Sequence, residues 1–375
     1  MALPPVALYV HWPYCARICP YCDFNVVRDR GRGEEQAALF AAMRRDLAEQ
    51  AARLGPRNLV SVFFGGGTPS LMDPAWAGTL VEDAARMFTP APDLEITLEA
   101  NPTDAEAARF SGFAAAGVQR LSLGLQSLDD EALRFLGRNH GADEGRRAAE
   151  AAAARFPRLS LDLIYARPGQ TPEAWAAELD EAVELGAEHV SPYQLTIEAG
   201  TAFDRAVRRG AWAPPEGDAA ADLWDATQAV LEARGFDAYE VSNHARGEPA
   251  RSRHNLAIWR GAEYLGVGPG AHGRIELDGV RTATRGAPRI ADYLVRVDEH
   301  GLGFDTAEAL SPDEAREERV LLGLRIREGV PAELVPADRV QDLAAAGLLE
   351  RSGERVRATD AGRLLLDRVI AELLV

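Results

Sequence analysis

Short apolar runs alternate with longer stretches of helical spacing through the first 240 residues of the chain. The runs Val6–His11, Leu59–Phe64, Glu95–Leu98, Arg120–Leu123, Leu159–Tyr165 and His189–Leu195 read as strands. Between them, Glu34–Arg53, Pro74–Met87 and Asp104–Ala116 are alanine-rich and carry apolar residues at helical intervals. Strand and helix in this rhythm predict βαβ units and a parallel sheet. Six such units fall short of the eight of a closed barrel, so the pattern predicts an α/β fold built on an open or partial barrel. In either form the chemistry belongs at the carboxyl ends of the strands.

The pattern changes after about Gly235. Residues 241–300 are polar, glycine-containing and weakly periodic, and they carry His244, His254 and His272. From Ser311 the chain is helical again, with Ser311 as N-cap and Pro312 at the first position of a helix expected to run to Arg325. The run Leu343–Leu349, the turn Arg351–Glu354, the run Val356–Thr359 and a terminal helix read as helix, hairpin and helix, similar to a winged helix. This tail lacks a strong basic stripe, so packing or a partner role is expected in place of DNA binding. The expected division is 1–240, 241–300 and 301–375.

Composition narrows the classes of function. With 47% hydrophobic and 26% charged residues, the 375-residue chain can build a sizeable core without disulfide or metal staples. A formal net charge of −17 disfavours nucleic acid and anionic membrane surfaces as default partners. All basic residues are arginines; the absence of lysine excludes lysine Schiff bases, pyridoxal phosphate anchoring and a Walker A loop. The start, Met1 to Val10, lacks the features of a signal peptide, and no apolar run approaches the roughly 20 residues of a membrane span. No stable membrane insertion and a cytoplasmic location are expected.

The sharpest chemical feature is the set Cys15, Cys19 and Cys22, spaced C-x3-C-x2-C in a loop after the first expected strand. An odd, clustered set is not a disulfide framework and suits a reducing compartment. Three thiolates can hold an iron–sulfur cluster with one open iron, while a structural zinc site normally takes four ligands. Asp23, Phe24 and Asn25 offer only a weak fourth. Directly after the second expected strand comes Gly65-Gly66-Gly67-Thr68-Pro69, either a tight turn or a phosphate cradle. With no G-K-[ST] following, the phosphate reading is poor. Gly266-Val-Gly-Pro-Gly-Ala-His-Gly273 superficially matches a dinucleotide fingerprint, but neither follows a clear strand nor opens a good helix.

The cysteine spacing resembles the radical S-adenosylmethionine (SAM) superfamily, whose partial (β/α)6 barrel agrees with the six strands. The resemblance implies a [4Fe–4S] cluster on Cys15, Cys19 and Cys22, with SAM chelating the open iron. Gly-Gly-Thr-Pro then looks like the family's SAM-amine motif. Glu99 in Leu98-Glu-Ala-Asn-Pro, Gln126 in Leu-Gly-Leu-Gln-Ser, Arg138 in Leu-Gly-Arg-Asn-His and Asp162 in Leu-Asp-Leu-Ile-Tyr match one subfamily. It contains oxygen-independent coproporphyrinogen III oxidase and the HemW-type haem chaperones. The resemblance implies that Tyr9, Gly66 and Glu99 contact the cluster-bound SAM. It places Gly67, Thr68, Gln126, Arg138 and Asp162 around a second SAM region, with Tyr21 and Thr196 at further matching positions. Taken singly, strand-end carboxylates and a surface arginine are the plainer readings of these residues.

Two departures separate the branches. Phe24 stands where the oxidase pattern has a fourth cysteine, and Tyr9 lies close to the start, where the oxidase has an extension. Both resemble the chaperones, as does Arg253-His254-Asn255-Leu-Ala-Ile-Trp259, similar to their H-N-x-x-Y-W haem motif with Ile258 in place of tyrosine. This implies His254 as an axial haem ligand, haem as a cofactor and acceptor haemoproteins as partners; its plainer reading is a hydrogen-bonded structural histidine. The alternatives are a SAM-dependent decarboxylase of coproporphyrinogen III and a zinc-stabilised scaffold.

Overall fold

The computed structural model describes residues 3–374; Met1, Ala2 and Val375, at the outer edges of the first and third expected segments, lie outside them. The six expected strands form as β1 (Pro5–Trp12), β2 (Asn58–Gly66), β3 (Thr89–Ala100), β4 (Arg120–Gln126), β5 (Arg158–Tyr165) and β6 (His189–Gln194). They pair in parallel and in chain order, which is the topology of a partial (β/α)6 barrel. Beyond β1 the sheet continues through β7 (Glu263–Val267), β8 (His272–Leu277), β9 (Val280–Gly286) and β10 (Phe304–Ala309). β7 runs parallel to β1 and the rest are antiparallel, so the weakly periodic segment supplies strands to the same sheet. β7 is five residues long and contains a glycine, too little for a visible period.

The two faces of the strands differ in kind. One face presents Leu8, Val10, Val62, Phe64, Ile96, Leu98, Leu121, Leu123, Leu161 and Leu163 to the main core. Helices α1 (Gly33–Leu54), α2 (Pro74–Met87), α3 (Ala142–Ala153) and α4 (Pro172–Glu184) add Leu39, Leu80, Ala149 and Trp175 to that core. Each of the larger aliphatic and aromatic side chains among these contributes roughly 1.5–3 kcal/mol of burial, which makes this face the main source of stability. The alternate residues put Ser61, Glu95, Thr97, Arg120, Ser160 and His189 on the opposite, inner face, where they are also buried.

Buried charge on that inner face is paired. Glu95 accepts from Arg158 Nη1 at 2.5 Å and lies 3.6 Å from Arg120 Nη1. Both arginines also donate to the 250–251 backbone, at Ala250 O (3.1 Å) and Arg251 O (3.0 Å). The His254 amide donates to Glu95 at 3.2 Å. The segment before β7 is thereby fastened across the floor of the barrel.

The helix expected over Asp104–Ala116 is broken into Asp104–Ala107 and Phe110–Ala115. Arg109, at the break, donates to Ser70 O (2.5 Å) and Met72 O (2.6 Å), a tertiary pull with no local signature. Ser311 caps the helix Pro312–Gly323 as expected and Glu314 completes the capping box, but the helix stops two residues short of the expected Arg325. A three-stranded antiparallel sheet (Val330–Pro331, Leu349–Ser352, Arg355–Ala358) follows, with helices Ala337–Ala345 and Leu366–Leu373. This winged-helix-like unit has its own core of Val320, Val330, Leu343, Val356 and Val369. The helix expected to include Leu343–Leu349 ends at Ala345, and Leu349 begins a strand. Among the described residues no helix is long and apolar enough to cross a membrane.

Removing Glu95 leaves the buried Arg120 guanidinium without a carboxylate, while Arg158 keeps only Glu188 at 2.8 Å. Glu95→Ala is therefore expected to cost about 3–5 kcal/mol in urea unfolding; an unchanged midpoint would show that Arg120 and Arg158 need no counter-charge.

Candidate functional site

The cysteine loop and the glycine loop leave the sheet side by side. His11 and Trp12 at the end of β1 pair with Gly65 and Gly66 at the end of β2. Beyond the pairing, Gly67 N donates to Trp12 O and Thr68 N to Tyr14 O, both at 2.8 Å. Gly66 has φ +105°, and a Cβ there would lie 2.5 Å from the His11 ring. The glycine is thus demanded by backbone and packing, so a bulky variant at 66 reports on folding before it reports on any ligand.

The cysteine loop turns back through a short parallel pairing of Tyr14–Cys15 with Val27–Arg28. Asn25 Nδ2 donates to Pro269 O and Pro288 O, both at 2.8 Å. The Asn25 carbonyl accepts from His11 Nε2 at 2.8 Å, which leaves His11 Nδ1 to accept from the Tyr9 hydroxyl at 3.1 Å. Gly268, in the segment similar to a dinucleotide fingerprint, has φ +113°, and its Cβ would lie 2.3 Å from His11 O. Close packing against the first strand accounts for that glycine.

At the carboxyl ends of the strands lies a cavity of about 400 Å³. Cys15, Cys19, Cys22 and Tyr21 line it from the cysteine loop, and Gly66, Gly67 and Thr68 from the glycine loop. Glu99, Gln126, Asp162 and Thr196 complete it from the remaining strand ends, and Arg138 from the loop after the helix Asp130–Phe135. Tyr9 sits just beneath: its ring edge and Glu99 Oε2 lie 2.9 and 3.2 Å from where a Cβ on Gly65 would stand. Every site residue expected from sequence is brought to this end except His254.

Several of these groups are strained or unsatisfied. Gln126 has φ +65°, and the β4–β5 register shifts between Leu123 and Gln126. Its Oε1 is buried without a hydrogen-bond partner, as is Arg138 Nε. A non-glycine residue in this region costs about 1–3 kcal/mol, and an orphaned buried acceptor a similar amount. Both costs at one residue mark a place kept for a polar ligand group.

Asn101 and Ser122 belong to the site and were not singled out from sequence. Asn101 Nδ2 donates to Thr68 Oγ1 at 3.0 Å, and its Oδ1 accepts from Arg138. Ser122 Oγ donates to both Asp162 oxygens, at 2.9 and 3.1 Å. Asn101 stands two residues after Glu99 in the quoted motif, which was its only local signal.

Burial and the neighbouring Asp162 carboxylate push the Glu99 carboxyl up to about 8, against a donated bond from Gly66 N. Burial pushes the Cys15 thiol up to about 11, with Thr68 opposing and the other two thiols adding. Cys15 thus favours its protonated thiol, so its ligation of an inorganic centre must release a proton. Among the described residues no three His, Cys, Asp or Glu side chains form a group suited to a single metal ion.

His254 lies away from this cavity, on α5 (Arg253–Trp259), with 4% exposure. Its ring stacks on Phe63 at 4.8 Å, and its Nδ1 is 2.9 Å from Ser61 Oγ. Burial lowers its pKa to about 3, so the imidazole is neutral. His244 is buried against Gln228, whereas His272 is exposed at the start of β8.

Glu99 offers a pH test. Its folded pKa lies above the ordinary 4.5, so its contribution to stability is full below that pH and is lost as pH rises through about 8. Urea unfolding of the empty protein across that window should show a declining stability that Glu99→Gln flattens. Parallel curves would refute the burial assigned to this carboxyl.

The family models agree with this architecture. The radical SAM superfamily model matches residues 9–182, and the HemN C-terminal domain model matches residues 310–365. The heme chaperone HemW of Mycobacterium tuberculosis H37Rv is 38% identical, with 99% of this chain and 95% of that protein covered. The mitochondrial radical S-adenosyl methionine domain-containing protein 1 of Bos taurus is 40% identical over 98% of this chain and 87% of its own. Among solved structures, coproporphyrinogen III oxidase (HemN) from Escherichia coli superposes with a TM-score of 0.82 at 24% identity, covering 99% of this chain and 90% of that one, a likeness of fold. By its cysteine loop, its barrel and this full-length kinship, the chain belongs to the HemW family of the radical SAM superfamily.

Proposed function

We propose that this protein is a haem chaperone that carries a [4Fe–4S] cluster and SAM at the strand-end cavity, binds haem and passes it to acceptor haemoproteins. The observation that carries the reading is the end-to-end relationship to proteins named heme chaperone HemW, 38% identical over 99% of the chain for the mycobacterial relative. The residues present fit the cluster. Cys15, Cys19 and Cys22 are free thiols around one cavity, and the position two residues after Cys22 is Phe24, which cannot ligate. When bound, a three-cysteine cluster leaves one iron open to a substrate and can supply an electron.

The chain's own groups are suited to hold SAM beside it. Tyr9, Gly66 and Glu99 are assigned to the cluster-bound molecule, with Glu99, protonated at neutral pH, able both to donate to and to accept from a ribose hydroxyl. Gly67, Thr68, Gln126, Arg138 and Asp162, flanked by Tyr21 and Thr196, are assigned to a second SAM region. There the orphaned Gln126 Oε1 awaits a donor. Free thiols accord with a reducing compartment, and the cytoplasm is proposed, although the bovine relative is named mitochondrial.

His254 is the candidate axial ligand for haem, since a neutral imidazole is the ligating form. Its ring is enclosed by Phe63 and tied to Ser61, so ligation requires α5 to move away from β2. Trp259, at the end of the same helix, would stack on the macrocycle once the Arg325 guanidinium, 5.9 Å from its ring, is displaced.

Anaerobic reconstitution should yield about four irons and labile sulfide per chain, and Cys19→Ala should abolish both. Stoichiometric zinc without sulfide would reject the cluster. Haem titration should give a saturable Soret change, with affinity reduced at least about tenfold in His254→Ala. Coproporphyrinogen III with SAM and a reductant should give no protoporphyrinogen IX; formation of that product would make the decarboxylase reading correct.

A further inference from the structure

Arg138 is a half-buried cation on the cavity wall, and among the described residues no carboxylate is in ion-pair contact with it. Its Nη1 donates to Cys19 Sγ at 3.4 Å. Its Nη2 is anchored on Gly124 O at 3.0 Å and on Asn101 Oδ1, and its Nε is buried with no partner. The Tyr21 ring lies beside both Arg138 and Cys19. Withdrawing a guanidinium from water without a carboxylate is costly unless another anion faces it. The group the fold presents to it is the sulfur of Cys19, which becomes an anion when it ligates a cluster. Arginine keeps its charge at any working pH, and the two anchors prevent the side chain from swinging into solvent.

We propose that Arg138 sets the reduction potential of the cluster held on Cys19, by fixing a positive charge and a hydrogen bond on one ligand sulfur. This rests on the cluster proposed above. Reduction adds one electron from a low-potential one-electron donor to a centre already made anionic by three thiolates, and no bond to Arg138 forms or breaks. A cation and a donated hydrogen bond at a ligand sulfur both favour the reduced state. In a half-buried site the charge acts more strongly than at the open surface. Asn101 is then the positioning residue that aims the guanidinium, and Thr68 holds Asn101 in turn.

The test is a dye-mediated redox titration of the full chain, reconstituted anaerobically and followed by electron paramagnetic resonance of the reduced cluster. Iron and sulfide are assayed on every sample. Arg138→Gln should lower the reduced-to-oxidised ratio at a fixed potential at least tenfold, a downward shift of about 59 mV for one electron. Arg138→Lys, which keeps the charge, should recover most of that shift. Asn101→Asp leaves the guanidinium in place but sets a carboxylate against it, so the midpoint should again fall. This second variant decides the matter if Arg138→Gln assembles no cluster. Unchanged midpoints in clustered Arg138→Gln and Asn101→Asp would overturn the proposal while leaving the cluster intact. Equal shifts in the Lys and Gln variants would also overturn it, since geometry and not charge would then be responsible. A wild-type chain that takes up no iron and sulfide would instead remove the functional reading on which the proposal stands.

Discussion

The Asn25 amide determines where the three thiols stand. The cysteine loop has little core of its own: Ile18 and Phe24 are 47% and 63% exposed. Apart from Tyr21, which packs beside Phe203, apolar burial does little to position it, and hydrogen bonds do the rest. Asn25 donates to one carbonyl after β7 and one after β9, and its own carbonyl accepts from His11 on β1. Those contacts join a loop near residue 20 to backbone near residues 269 and 288. The cluster site, the barrel edge and the extension of the sheet thus become one unit. Because the Asn25 carbonyl can only accept, His11 must carry its proton on Nε2, and so its Nδ1 receives the Tyr9 hydroxyl.

The same strands divide their labour by face. Apolar residues on the helix side stabilise the barrel, which frees the inner side for groups that contribute little stability but much chemistry. At the floor, Glu95 neutralises Arg120 and Arg158 and fastens the segment that carries His254. At the mouth, by contrast, polar groups are left without partners. Glu99 and Asp162 crowd each other, Arg138 faces thiols, and Gln126 holds a strained backbone with an orphaned oxygen. The floor is satisfied and the mouth is not, which is the signature of a site completed by ligands.

Kinship and geometry meet differently at the two ends of the barrel. At the mouth, the residues implied by family resemblance converge on one cavity. At the floor, the haem-motif histidine is packed as a structural histidine is, against Phe63 and Ser61. Both readings of His254 agree with its sequence context, because burial depends on strands nearly 200 residues earlier in the chain.

What the sequence determined by itself is whatever depends on neighbours within a few residues. The six strands follow from short apolar runs, the Ser311 cap from an i to i+3 bond, and the three thiols from one loop. Only the tertiary structure decided the rest. β7 is recognisable as a strand only by pairing with β1, more than 250 residues away. Arg109 breaks a helix through carbonyls of another loop. Asn101 becomes part of the site only when Thr68 and Arg138 arrive on either side of it. A local pattern encodes which backbone state a segment prefers. It cannot encode which distant carbonyl, ring or charge will satisfy a buried polar group, because that depends on packing the whole chain achieves together.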